Sequence, residues 1–242
     1  MITLTEYGDV AEITLDRHDK RNALDVAHLH DLTAAVEGCV SAGRRALLLT
    51  GAGSAFSAGA DLGGVYGDGF RTALYTALGA ITAAPIPVIA AVNGPAIGAG
   101  TQLAIACDLR IAAPNATFAV PTARNGLAVD PWTIRRLAGL AGGATARAVL
   151  LACDSLDAPT ALARGLADRI GTLDDARTLA REIASYAPLT LRYSKHAVQM
   201  LTEPDTWDDQ LDAEFDQCWN STDFAESQLA RTENRLPNFV GK

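Results

Sequence analysis

No apolar run of membrane-spanning length occurs in these 242 residues, so no helical span is expected. Basic residues are also short. Twenty Lys+Arg against 28 Asp+Glu leave a net charge of −8, which argues against a general binder of nucleic acid or of acidic membrane surfaces. Cysteine is sparse: Cys39, Cys107, Cys153 and Cys218 lie far apart, with no CxxC and no Cys/His ligand spacing. Buried free thiols are therefore expected rather than a metal site or disulfides. The four histidines, His18, His28, His30 and His196, fall in loop or helix-surface contexts. No GxSxG, phosphate-loop or dinucleotide fingerprint is present, and GPAIGAG at 94–100 has the wrong glycine spacing for the last. The opening MITLTEYGDVAEITL alternates like a strand and lacks the basic-then-apolar form of a leader. A reducing, cytoplasmic setting is the expectation.

What is present is a chain 49% hydrophobic, enough to fill the core of one domain or of a domain with a helical appendage. It is organised around Pro87–Ala113, PVIAAVNGPAIGAGTQLAIACDLRIAA. A β-rich run (Val88–Val92) turns through Asn93, Gly94 and Pro95. Gly98 and Gly100 then flank Ala99 ahead of an apolar helix, Thr101–Cys107, and a further buried strand, Leu109–Ala113. Glycine admits close backbone approach, and the first N–H groups of a helix have no partner within it. A carbonyl oxygen above Ala99 would meet free donors and the positive end of the helix. A second small, glycine-rich bend, GAGSAFSAGADL at 51–62, follows the strand Ala46–Thr50, and its amide near Ala58 is the candidate for a second donor. Two such N–H groups on one oxygen form an oxyanion hole, where one donor is worth about 3–4 kcal/mol in the transition state. An ordinary strand–turn–helix is the alternative.

Elsewhere the pattern predicts a hairpin, Ile2–Tyr7 with Val10–Asp16, and a helix from Asn22 or Asp25 to about Ala42. A glycine-rich link (63–69) and a helix over about Phe70–Ala83 come next. From Pro131 onward it reads as helical: Trp132–Leu140, Ala144–Cys153, Ala158–Arg164, Leu173–Tyr186, Leu189–Leu201, Asp205–Trp219 and Asp223–Arg235. Strand–helix alternation implies an α/β core with covered sheets. Trp207, Phe215 and Trp219 suit either packing on the chain's own core or a subunit interface.

SAFSAGADL followed by AAVNGPAIGAG resembles the enoyl-CoA hydratase/isomerase (crotonase) superfamily in motif order and spacing, over the whole chain. The patterns IGAGxQLAxxCDLR and GLAxDxWxIRRL resemble an actinobacterial subgroup linked to fatty and mycolic acid metabolism. The resemblance implies a spiral of ββα turns over residues 1–187 and a helical segment, 188–242, used in oligomerisation and pocket closure. The implied assembly is a homotrimer or dimer of trimers. It implies fatty acyl-CoA as ligand, with coenzyme A carried in by the ligand and no other cofactor or metal, and lipid-synthesis proteins as possible partners. The oxyanion donors would be Ala58 and Ala99. Arg17, Lys20 and Arg21 would lie along coenzyme A, with Ala23, Ala60, Asp61 and Leu62 at its nucleotide or pantetheine end; Asp61 equally suits a helix N-cap. Gly98, Gln102, Thr122 and Trp132 complete the substrate contacts. Phe70, Leu74, Leu78 and Ile134 are further candidates for the acyl tail, and Arg235 is the only C-terminal candidate for a neighbour's coenzyme A.

The hydratases of this family use two glutamates. The corresponding positions here are Gln102, three residues after Ala99, and Thr122, after Phe118–Pro121. Neither side chain titrates near neutral pH. A general acid or base gives about 10²–10⁴ in rate, so two-glutamate hydration is not expected. Asp130 sits where other branches of the superfamily place a catalytic acid, while Asp-Pro at a helix start equally suits an N-cap with proline at N1. Arg135 and Arg136 lie within reach to hold it charged. Three readings result: an acyl-CoA-binding homologue without hydratase chemistry, an isomerase or weak hydratase using Asp130, and a scaffold with a vestigial pocket.

Overall fold

The computed structural model describes residues 1–61, 68–202, 216 and 219–237. The chain opens with the hairpin β1 (Ile2–Tyr7) and β2 (Val10–Leu15), turning on Gly8 at φ 66°. Then follow α1 (Val26–Ser41), β3 (Ala46–Gly51), α2 (Asp68–Ala83), β4 (Val88–Val92), β5 (Pro95–Ile97), α3 (Ala99–Ala106), β6 (Leu109–Ala112) and β7 (Thr117–Ala119). The remainder comprises α4 (Pro131–Leu151), β8 (Ser155–Asp157), α5 (Ala158–Ala163), β9 (Arg169–Ile170), α6 (Leu173–Ala184), α7 (Pro188–Thr202) and α8 (Thr222–Thr232).

A six-stranded sheet has the order β1-β2-β3-β4-β6-β9, parallel throughout except for the β1–β2 pair, and a second sheet pairs β5-β7-β8. Each turn of chain lays one strand on the large sheet, crosses to the small one and returns through a helix. The bridges Leu24↔Ala60 and Ser57↔Ala96 continue the small layer through the earlier turns. The spiral follows from the strands themselves. Every residue of β3 and β4 is buried, because both faces of the sheet are covered. Alternation sends Leu47 and Leu49 into the main core with α1, α2 and α3, and Ala46 and Leu48 onto α6 with Leu179 and Ile183. β1 stays largely exposed at the sheet edge.

Several elements differ from the sequence expectation. Strands β5, β7, β8 and β9 are two or three residues long, too short for an alternating pattern to declare itself, so the supposedly all-helical second half carries two of them. Helix α3 begins at Ala99, two residues before the apolar run. The two helices expected around 132–153 form one element, α4, broken at Gly142, whose φ of 79° and ψ of 153° are not helical. The link at 62–67 and most of the expected helix 205–219, with Trp207, Phe215 and Cys218, lie outside the described residues. Among the described residues no helix is long and apolar enough to cross a membrane, and no cluster of His, Cys, Asp and Glu could hold a metal.

Candidate active site

The site begins with two bends held against each other. Asn22, at φ 56°, donates its side-chain amide to Ala52 O (2.9 Å) and Ala55 O (2.8 Å), and Ser57 Oγ donates to Asn22 O at 2.8 Å. Asn93 does the same from the other side, donating to Gly51 O (2.8 Å) and Gly53 O (3.0 Å). The 52–61 segment is thus laced to the loop before α1 and to the turn after β4.

Within that segment the amides have separate destinations. The Ala58 N–H donates to Arg21 O at 2.8 Å, so the donor expected at Ala58 is already occupied by the protein. In the bridge to Leu24, Leu24 N–H donates to Gly59 O (2.7 Å) and Asp61 N–H to Leu24 O (2.6 Å). The N–H of Ala60, the residue between, points the other way and has no partner among the described residues. Ala99 is the first residue of α3 and its N–H likewise has no partner among the described residues, because the first intrahelical bond is made only by Gln102 N–H, to Gly98 O at 3.0 Å. The two bends touch: a Cβ on Gly59 would lie 3.4 Å from Ala99 N and 2.4 Å from Ile97 O. The free amide of this segment is thus at Ala60, two residues beyond Ala58, whose own N–H faces Arg21.

Ala60 and Ala99 both line a cavity of about 220 Å³. Its apolar walls come from Phe70 and Leu74 of α2, Ile97, and Leu127–Val129. Gly98, Gln102 and Thr122 line it as well. Arg71 and Trp219 also line the cavity, with the guanidinium 4.3 Å from the centre of the indole. Tyr75 is the phenol in the wall; burial, then the charge of Asp130, raises its pKa above the ordinary tyrosine value against a smaller opposing effect of Arg71. It is a neutral hydroxyl at physiological pH. Sequence reasoning missed Arg71 and Tyr75, although they lie next to Phe70 and Leu74 on two successive turns of one helix.

Asp130 is not among the lining residues. It caps α4, accepting Thr133 N–H at 3.0 Å on Oδ1, while Oδ2 accepts Thr133 Oγ1 (2.6 Å) and Gln102 Nε2 (3.1 Å). Its bonding partners are Thr133 and Gln102 rather than the neighbouring arginines, and Arg136 Nε donates to Ile105 O. Trp132 packs on the main core instead of lining the cavity; Leu78 is core, and Ile134 is exposed.

Arg17, expected along coenzyme A, is committed to Asp61 (2.9 Å), Asp25 (3.4 Å) and Ala23 O (3.2 Å). Burial opposes the charge on Asp25, but hydrogen bonds from the His28 amide and ring, with the Arg17 charge, hold its carboxyl below the usual range. Asp61 and Ala23 thus serve this ion-paired cluster and are absent from the cavity wall. Lys20 and Arg21 stay exposed on the turn before α1. Leu62 lies outside the described residues. Arg235 pairs with Glu226 and Glu233 of its own segment.

A spiral α/β core with two unengaged amides at one cavity defines a class, and the chain belongs to the enoyl-CoA hydratase/isomerase family, whose model matches residues 5–242. It is 45% identical over 245 residues to the "Probable enoyl-CoA hydratase echA6" of Mycobacterium tuberculosis, with 100% of both chains covered. Among solved structures, a methylmalonyl-CoA decarboxylase in complex with 2-nitronate-propionyl-CoA superposes with a TM-score of 0.92 at 26% identity, covering 100% of this chain and 98% of that one. An enoyl-CoA hydratase from Mycobacterium avium subsp. paratuberculosis gives 0.83 at 27% identity, covering 99% and 98%.

Proposed function

We propose that this protein binds acyl-CoA thioesters of lipid metabolism, with the thioester oxygen received by the Ala60 and Ala99 amides and the acyl group in the adjoining cavity. The observation that carries this reading is the pair of N–H groups, without a partner among the described residues, on abutting bends at one apolar cavity. Two such donors polarise a thioester carbonyl and stabilise negative charge that develops on its oxygen. The exposed Lys20 and Arg21 are the remaining candidates for the phosphates of coenzyme A. α7 leaves Leu189, Tyr193 and Val198 exposed, which supports assembly of several copies.

Proton transfer is where the site differs from the two-glutamate hydratases. Gln102 and Thr122 line the cavity and offer no titratable proton, and both oxygens of Asp130 are engaged by Thr133 or Gln102. The reading is therefore binding, or chemistry needing only carbonyl polarisation, with little hydration. Calorimetry with butyryl-CoA and long-chain acyl-CoA is expected to show saturable binding, while crotonyl-CoA hydration, followed as loss of the conjugated thioester absorbance, stays at least about 10²-fold below a two-glutamate enzyme. Turnover at ordinary hydratase rates rejects the missing-acid argument, and absence of any acyl-CoA binding rejects the function.

A further inference from the structure

Ser57 is fully buried between the two bends and is absent from the cavity wall, so it does not touch a ligand held there. All three of its polar atoms are spent on the bends instead. The hydroxyl has a single hydrogen, donated to Asn22 O at 2.8 Å, so in the 3.2 Å contact with the Gly59 N–H it is the acceptor. The Ser57 N–H donates to Pro95 O at 3.1 Å, and its carbonyl accepts the Ile97 N–H at 2.9 Å. Gly100, in the first turn of α3, seats directly on it: an added Cβ there would lie 2.4 Å from Ser57 O. Ser57 therefore grips the chain on both sides of Ala99 as well as the residue before Ala60.

From these contacts we infer that Ser57 is a positioning residue for both amides, aiming Ala60 through its hydroxyl and Ala99 through its backbone. The inference rests on the acyl-CoA reading above and deepens it. The argument turns on Gly59. A trans peptide is planar, so the Ala60 N–H points opposite to the Gly59 C=O. Leu24 N–H holds that carbonyl at 2.7 Å, and Ser57 Oγ holds the Gly59 N–H, so the peptides on both sides of this left-handed glycine are fixed. Glycine supplies no such restraint itself, because it populates φ of either sign about equally. A rotation there swings the Ala60 N–H off the cavity. Ser57→Ala keeps every backbone contact, and with them the Ala99 amide, but leaves the buried Gly59 N–H without its acceptor. The hydroxyl is thus separable from the rest of the site.

The test is infrared difference spectroscopy of butyryl-CoA carrying carbon-13 at the carbonyl, against the unlabelled ester, with the full chain saturated. The carbonyl stretch falls as hydrogen bonds to the oxygen strengthen, so it reads the aim of the amides independently of affinity. In the unaltered protein the stretch is expected to lie below that of the free ester. In Ser57→Ala about half of that lowering is expected to be lost, since one of the two donors is misaimed. Ser57→Cys, which keeps a weaker acceptor in nearly the same volume, is expected to fall between the two. A merely structural serine would lower the melting temperature and leave the stretch of the bound ester unchanged. Full lowering in a folded Ser57→Ala protein therefore overturns the inference and leaves the acyl-CoA reading standing. Should Ser57→Ala fail to fold, Ser57→Cys decides, and a stretch equal to that of the unaltered protein overturns the inference in the same way. Absence of saturable binding by the unaltered protein overturns the acyl-CoA reading itself, and this inference with it.

Discussion

Gly59 is the residue on which the two bends depend. Its φ of 88° lies in the left-handed region, and an added Cβ would sit 2.4 Å from Ile97 O, a rigid backbone atom. Gly8 provides the comparison, because it shares a positive φ (66°) but has nothing within 4 Å of where a Cβ would fall. Gly8→Ala should cost about 1 kcal/mol, the backbone penalty alone. Gly59→Ala should cost about 2 kcal/mol or more in urea unfolding and, by pushing Ala60 away from Ala99, weaken acyl-CoA binding at least tenfold. Normal binding by a folded Gly59→Ala protein would show that the spacing of those amides is not what receives the ligand. At this scale the sequence was only half readable. Ala99 was identifiable because a helix start always leaves its first N–H groups unpartnered. The free amide lies at Ala60 rather than Ala58 because Ala58 N–H is taken by Arg21 O and the left-handed Gly59 between them breaks the regular alternation, neither of which a local pattern announces.

Among the helices, α7 is fastened at a point the sequence does not reveal. Lys195, its side chain 9% exposed, reaches Ile81 O (3.2 Å) and Ile86 O (3.0 Å) at the end of α2 and pairs with Asp108 at 2.8 Å. Asp108 in turn accepts Val88 N–H at 2.8 Å, so one ammonium ties α7 to the α2 terminus and to the start of β4. Lys195→Met keeps the length and removes the charge, leaving carbonyls and a half-buried carboxylate without their cation. It should cost about 2 kcal/mol and expose 188–202 to limited proteolysis before the rest of the chain. Unchanged unfolding and cleavage would mean that apolar packing alone holds α7. Long elements such as α1, α2 and β4 were readable because periodicity and caps mark them over many residues. The small sheet was not, since β5, β7 and β8 are held by pairing between distant segments rather than by propensity.

Across the molecule, covering both faces of the large sheet buries groups that must stay in one protonation state. Cys107, fully enclosed at the end of α3, donates its thiol to Leu103 O at 3.3 Å. Burial, then the neighbouring Asp108 charge, pushes this thiol up to about 12, against smaller opposing effects of Arg110, Lys195 and Arg136. Arg110 beside it is 1% exposed and is kept in place by Asp168 at 2.8 Å, Leu166 O and Cys107 O. In the unfolded chain the Cys107 thiol ionises near its ordinary value of 9.0. The folded state therefore holds more protons than the unfolded state between pH 9 and about 12, and stability must fall as pH rises through that window. The half-buried phenol of Tyr75 adds to the same trend from pH 10 upward. Melting temperature should be flat through neutrality and decline above pH 9, with Cys107→Ala flattening part of that decline. In native protein at pH 8, iodoacetamide should leave Cys107 unmodified, while in urea the same thiol reacts. An alkaline slope identical in Cys107→Ala and the unaltered protein would show that other groups set it. Rapid native alkylation of Cys107 would contradict the sealed packing on which this core depends.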